Sequence, residues 1–421
     1  WVPVNTRLRG AGAAYVVERS RPRLLVVQRE LEEVVRGASG RAPLVWLDEI
    51  DATPREGEQP GRTPSAPGDA LCVMYTSGTT GAPKGVVFSH RMMRIAGESV
   101  LTVADARRGD RLFLWEPLCH IGGAQVLVAP FLERVELHLA ARFSASRIWD
   151  QLVAARATHL HYLGGVLDIL MQLPPERQPA RHDLRVVWGA GVSARAWRGI
   201  EERLGVAIRE CYGMTECSSF ATFNAAGTPG SIGRPLPWLS LELLDEEGRT
   251  VKAGEIGEIV LSSRVEGAFL SSYLDDPAAT GAALRGGKLH TGDSARADAG
   301  GDLYFVGRRT DSMRVRGENV SAWEIERIFA THPAVAASAA VGVPGEVGEQ
   351  EILLYVQFEP GAAETVQDLA RWAEGQLASF QLPRYYASVE AFETTPSQRV
   401  RKHLLPRTPG AAWDRAGGRR S

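Results

Sequence analysis

Residues Tyr75 to His90 read YTSGTTGAPKGVVFSH, and no other stretch constrains the chain as tightly. An apolar run, Leu71-Cys72-Val73-Met74-Tyr75, leads in, and a second, Gly85-Val86-Val87-Phe88, leads out. Both predict buried strands. The stretch from Thr76 to Gly85 holds three glycines, three threonines, Ser77 and Lys84. Glycines let backbone amides close around an anion, the hydroxyls add donors, and Lys84 adds positive charge. That is equipment for nucleotide phosphates. It is not a Walker loop, because Lys84 is followed by Gly85 and the glycine spacing differs. A flexible linker of similar composition would not fix Pro-Lys-Gly between two strand-like runs.

The decamer TSGTTGAPKG resembles the phosphate-loop signature of the adenylate-forming superfamily: acyl-CoA ligases, adenylation domains of peptide synthetases, and luciferases. The resemblance implies that Thr76, Ser77, Gly78, Thr79, Thr80 and Lys84 bind nucleotide phosphates, with Thr80 beside magnesium. Later motifs extend it. Val186 to Gly191 resembles the strand and turn that lie against adenine, which assigns Gly189, Ala190 and Gly191 to the base. Cys211-Tyr212-Gly213-Met214-Thr215-Glu216 matches the family's YGMTE. There Tyr212 would stack on adenine, Thr215 would touch the α-phosphate and Glu216 would help hold magnesium. An aromatic face suits a base, and a hard carboxylate suits a hard cation. Asp293, in LHTGD, would accept hydrogen bonds from ribose, and Arg308 would contact ribose or phosphate. His120 resembles the family histidine that lines and gates the carboxylate pocket. Gly317 and Glu318 belong to a GENVS loop that in CoA-forming relatives faces the pantetheine tunnel; its wording is nearest to carnitine and crotonobetaine ligases. The implied small molecules are ATP or an acyl adenylate, coenzyme A, Mg2+ and a carboxylic acid.

Alternating apolar runs and helix-like segments before Ile50 read as βαβ units. Residues 51–69 turn to Pro, Gly, Arg and Glu and read as a surface loop. The expected fold class is α/β. It comprises a large N-terminal domain (1–308) of parallel-sheet layers, with a barrel-like β-rich part at 230–308. A hinge at 309–311 leads to a small mobile α+β lid (312–421). The chain opens on Trp1 within WVPVNTRLRG, which resembles the interior of a ligase, so the first part of the family fold is expected to be missing. After Pro406 the tail reads as loose.

At 421 residues and 44% hydrophobic, the chain can bury a large core. Its net charge of −2 calls for neither nucleic acid nor an anionic membrane. Four cysteines without CxxC spacing suggest neither zinc nor a disulfide framework. No apolar run reaches spanning length, and a reducing cytoplasm is the expected compartment. His159 and His161 would share one face of a strand, without a third metal ligand at a suggestive spacing. The Ala-, Arg- and Gly-rich composition resembles that of high-GC bacteria, where such ligases often serve natural-product pathways.

One departure matters. Relatives end with a Pro-x-x-Gly-Lys loop whose lysine bridges the substrate carboxylate and the α-phosphate during adenylation. Here the segment reads TTPSQRVRK, placing Gln398 where glycine stands and Arg399 where the catalytic lysine stands. Arginine keeps the charge but is planar and bulkier. Lys402 matches a second, non-catalytic lysine. The expectation is an acyl-CoA ligase competent in thioester formation and weakened in adenylation, with another ligase supplying the adenylate. A fully active ligase, an adenylation enzyme loading a carrier protein, and an inactive binding protein are the rivals.

Overall fold

The computed structural model describes residues 1–36, 42–50, 65–76, 82–163, 166–192, 194–245, 247–308, 312–345, 349–393, 400 and 402–417. Ser77, Gly78, Thr79, Thr80, the hinge 309–311, Gln398 and Arg399 lie outside the described residues, as does the side chain of Arg308.

Strands β1 (Leu25–Val27) and β2 (Leu44–Trp46) pair in parallel, as a βαβ unit requires. The two apolar runs flanking the phosphate loop become β3 (Ala70–Thr76) and β4 (Lys84–Ser89), an antiparallel pair. Ser89 ends β4 and caps the helix His90–Ala104, its hydroxyl accepting from the Met92 amide at 3.1 Å. That helix buries Met92, Ala96, Val100 and Val103 on one face, the spacing of an amphipathic helix.

The central sheet contains β5 (Arg111–Leu114), β6 (Glu136–Leu139), β7 (His159–Leu163), β8 (Val186–Ala190), β9 (Ala207–Met214), β10 (Ser219–Phe223) and β11 (Arg234–Pro235). Its order is β11-β10-β9-β8-β7-β5-β6. Strands β9, β8, β7, β5 and β6 run parallel; β10 and β11 complete the sheet antiparallel. The five parallel strands therefore end on one edge, where open α/β sheets bind ligands.

A second, antiparallel sheet follows: β12 (Leu239–Leu244), β13 (Ile256–Ser263), β14 (Leu284–Arg285), β15 (Lys288–Ala297) and β16 (Leu303–Arg308). The C-terminal unit opens with a hairpin, β17 (Ser312–Val315) and β18 (Glu318–Ser321). Strands β19 (Val335–Pro344), β20 (Gln350–Phe358), β21 (Tyr385–Ser388) and β22 (Trp413–Asp414) form its sheet, with helices Ala322–Phe329 and Val366–Ala373. It has a hydrophobic core of its own, including Ile325, Phe329, Leu354, Leu369 and Tyr386. The expectation of a loose tail is corrected here. Trp413 pairs in register with Tyr386, sets its ring tilted against the Tyr386 ring with centroids 5.9 Å apart, and packs on this core. An aromatic residue eight positions before the end offered the missed signal.

Two strand contacts exclude any side chain. A Cβ on Gly189 would collide with the Tyr162 carbonyl, and one on Gly213 with the Ser219 carbonyl. Gly213 holds the turn from β9 into β10 closed. Gly213→Ala should therefore lower stability by about 3 kcal/mol, because backbone rather than a flexible side chain must move. Urea unfolding checks this, and a wild-type midpoint would refute the contact.

Candidate active site

A cavity of about 420 Å³ opens along the C-terminal ends of the parallel strands. Glu116, beyond β5, lines it, with His161 and Leu163 of β7, Ala190 of β8, and Gly213 and Met214 of β9. Thr76, Lys84, Thr215, Glu216 and His120 face the same space. The structure thus gathers motifs separated by more than a hundred residues in sequence.

The glycine turn after β8 is pinned by a residue that sequence reading missed. Glu210 lies buried in β9 and accepts the Gly191 amide at 2.6 Å, the Val192 amide at 3.3 Å and the Tyr162 hydroxyl. Burial pushes its carboxyl up to about 7, while the three donors favour the ionised form. A carboxylate flanked by Arg209 and Cys211 in the strand before the YGMTE motif was the available signal.

Tyr212 is buried; its hydroxyl donates to Asp293 at 2.7 Å and its ring stacks on Phe305, centroids 5.8 Å apart. Its neighbours Cys211 and Gly213 line the cavity, as do Thr291 and Gly292 beside Asp293. Asp293 is buried in β15 and pairs in register with Arg308 of β16. Thr215 and Glu216 form a single helical turn, after which Ser218 and Ser219 take positive φ values of 60° and 88°. Non-glycine residues held there cost on the order of 1 kcal/mol or more, a cost that gathers at functional sites.

The Glu216 carboxylate accepts the Tyr273 hydroxyl at 2.8 Å, and the Lys84 ammonium sits 5.1 Å from that ring's centre. Tyr273 thus links Lys84 to Glu216 and fixes the carboxylate's direction. Groups of three or more metal-ligating side chains are absent among the described residues. One carboxylate at a phosphate site suits Mg2+, which takes few protein ligands and its remaining ligands from phosphate and water.

The C-terminal unit reaches the opposite side of the cavity. Glu318 of β18, its side chain 4% exposed, lies 2.6 Å from His120 Nε2 and 3.3 Å from Arg7 Nη1. Leu8 packs against the C-terminal core. The hairpin tip turns through Arg316 and Gly317, at φ 51° and 77°. There the Gly317 amide donates to Glu349 at 3.0 Å, and a Cβ on Gly317 would meet the Trp115 ring at 3.7 Å. Lys402 is held by Glu326 at 2.6 Å, within the C-terminal unit.

Residues 1–272 match the AMP-binding enzyme family, and residues 324–399 match the AMP-binding enzyme C-terminal domain. Over 427 residues the chain is 31% identical to a crotonobetaine/carnitine–CoA ligase of Salmonella arizonae, covering 96% of this chain and 83% of that one. Among solved structures, a malonyl-CoA ligase product complex with methylmalonyl-CoA and AMP is 27% identical, with TM-score 0.79 over 93% of this chain and 85% of that one. The o-succinylbenzoate CoA synthetase of Bacillus subtilis is 23% identical and shares the fold. A double mutant bound with a CoA product analogue gives TM-score 0.83, over 96% of this chain and 82% of that one. Its complex with ATP and magnesium gives 0.67, over 96% and 83%.

The Glu318–His120 contact has a pH signature. Burial disfavours a charged His120, but Cys119 and Glu318 beside it outweigh burial and raise its pKa well above 6.5. Burial likewise opposes an ionised Glu318, and His120, Arg7 and Arg314 overcome it, lowering its pKa below 4.5. The His120 contribution is complete below its ordinary value and lost as pH rises through the raised one. The Glu318 contribution is complete above its ordinary value and lost as pH falls through the lowered one. Docking of the C-terminal unit should therefore be strongest at mildly acid pH and weaken in alkali. Energy transfer between fluorophores on the two units measures it; a pH profile unchanged by Glu318→Gln would remove the contact from this role.

Proposed function

Because the chain belongs to the AMP-binding enzyme family, we propose that it joins a carboxylic acid to coenzyme A through an acyl adenylate, and that thioester formation is its stronger half-reaction. The observation that carries this is the placement of the GENVS hairpin: Gly317 against Trp115, and Glu318 buried on His120 and Arg7. The glycine turn brings bare backbone against an aromatic wall, a surface along which a narrow chain such as pantetheine would lie.

In the first half-reaction the substrate carboxylate would attack the α-phosphorus of ATP and expel pyrophosphate. Lys84 and Thr76 stand where phosphates would lie, and Glu216, aimed by Tyr273, would be the protein ligand for magnesium. Magnesium supplies charge neutralisation on the phosphates. Asp293, held by Tyr212, would accept from the ribose hydroxyls. The group that stabilises charge between carboxylate and α-phosphate would be Arg399 in place of lysine. Its forked shape and the neighbouring Gln398 handicap that step. Lys402, paired with Glu326, is committed elsewhere. In the second half-reaction the CoA sulfur would attack the acyl carbon, lose its proton and release AMP, and Arg399 has no part in it. A separate adenylating ligase would then be the partner. The similarity to a CoA ligase favours CoA over a carrier protein as acceptor.

Pyrophosphate release from ATP and a panel of carboxylic acids should be slow, while supplied acyl adenylates are converted rapidly to acyl-CoA. Arg399→Lys, with Gln398→Gly, should raise pyrophosphate release roughly tenfold or more without speeding the second step. Brisk release by the wild type would show a fully active ligase. Gly317→Leu should abolish CoA use and spare adenylate affinity; undiminished thioester formation in that variant would refute the tunnel assignment. Asp293→Ala should impair both half-reactions, whereas Glu216→Ala should impair mainly the first. Equal losses in thioester formation from adenylate would refute that division.

A further inference from the structure

The cavity has two chemically different regions. The nucleotide motifs sit on β8 and β9, while Glu116 follows β5, which lies beyond β7 in the sheet. Glu116 and His161 line the cavity there, with side chains only 6% and 1% exposed. Glu116 Oε2 lies 3.4 Å from His161 Nδ1, yet neither atom has a hydrogen-bond partner. Gly122 presses on the carboxyl so closely that a Cβ there would collide with it, which fixes the carboxyl's position. The Trp115 indole holds the His161 carbonyl at 2.9 Å, and His161 packs 5.2 Å from the Trp188 ring.

An unpartnered polar atom in a buried wall is costly, and an apolar residue would relieve that cost. Two such atoms side by side, facing the same cavity, call for a ligand group that satisfies them. We propose that Glu116 and His161 form an acyl-specificity subsite that selects carboxylic acids carrying a hydrogen-bond-donating substituent, a hydroxyl or an amino group, on the chain. This rests on the acyl-CoA ligase reading above.

Burial raises the Glu116 carboxyl to about 7 and lowers His161 to about 3, so His161 is neutral at physiological pH. His120 and Arg314 favour the ionised carboxylate and Glu318 opposes it. A hydroxyl can donate to His161 and accept from a protonated Glu116; an ammonium would instead hold Glu116 ionised. Both present the donor that the two atoms lack.

The test uses non-hydrolysable acyl sulfamoyl adenosines of matched chain length, ending in a methyl, a hydroxyl or an ammonium group. Dissociation constants are measured by calorimetry on the intact chain. At least one polar analogue should bind the wild type roughly tenfold to a hundredfold more tightly than the methyl analogue. Glu116→Leu should reverse that preference while raising the melting temperature, because it removes an unsatisfied buried carboxyl. Glu116→Gln should retain a hydroxyl preference and lose an ammonium preference. Equal or tighter binding of the methyl analogue overturns the subsite alone. So does a polar preference that survives Glu116→Leu. Failure of all three analogues to bind overturns the ligase reading itself, and the subsite with it.

Discussion

Parallel strands joined by crossovers must all end on the same edge of their sheet, and the site depends on that constraint. β5, β7, β8 and β9 deliver Glu116, His161, Ala190 and Met214 to a common edge although each is distant from the next in sequence. Loop residues could not be placed so closely without the sheet behind them. The tight approaches at Gly189 and Gly213 bring the strands and turns of that edge together, and Glu210 ties the turn after β8 to the strand beside it. The motifs that line the cavity are therefore the ends of a scaffold rather than independent loops.

The C-terminal unit meets this edge through few polar contacts. Glu318 is almost fully buried, and a buried carboxylate without opposite charge would be expensive. His120 and Arg7 provide that charge, and both belong to the N-terminal part of the chain. Rotation of the C-terminal unit away from the cavity would have to uncouple all three groups. The contact is made of groups that water would satisfy if it opened. A purely apolar interface of the same size would lack that reversibility.

Much of this was legible in the sequence. The apolar runs around TSGTTGAPKG became β3 and β4, and the helix began at the Ser89 cap, because local pattern and local chemistry agree there. The motif glycines and Glu216 stood out because they occur in a fixed order within short motifs, and Gly213 and Glu216 line the cavity. Glu210, Tyr273 and Arg7 were not readable in the same way. Each acts through a partner distant in sequence, Gly191, Glu216 and Glu318 respectively, and nothing in its neighbourhood marks the pairing. Trp413 was misread for the same reason: tail composition speaks of looseness, while its ring has a place on the far core.

Three buried glutamates show how a single residue type divides the labour of the site. Glu210 is surrounded by three donors and is structural. Glu318 is balanced by two cations from another part of the chain, and its balance changes if that part moves. Glu116 is matched within hydrogen-bonding geometry by nothing on Oε2, and it faces open space. Burial disfavours the ionised form of all three carboxylates, so burial alone does not explain the difference. What differs is the source of the compensation: backbone amides and the Tyr162 hydroxyl for Glu210, His120 and Arg7 for Glu318, and, in the subsite proposed above, a molecule that enters the cavity for Glu116. A protein that keeps an uncompensated carboxyl in an otherwise satisfied wall gives up stability there, and recognition of a bound group is the physical return that offsets it.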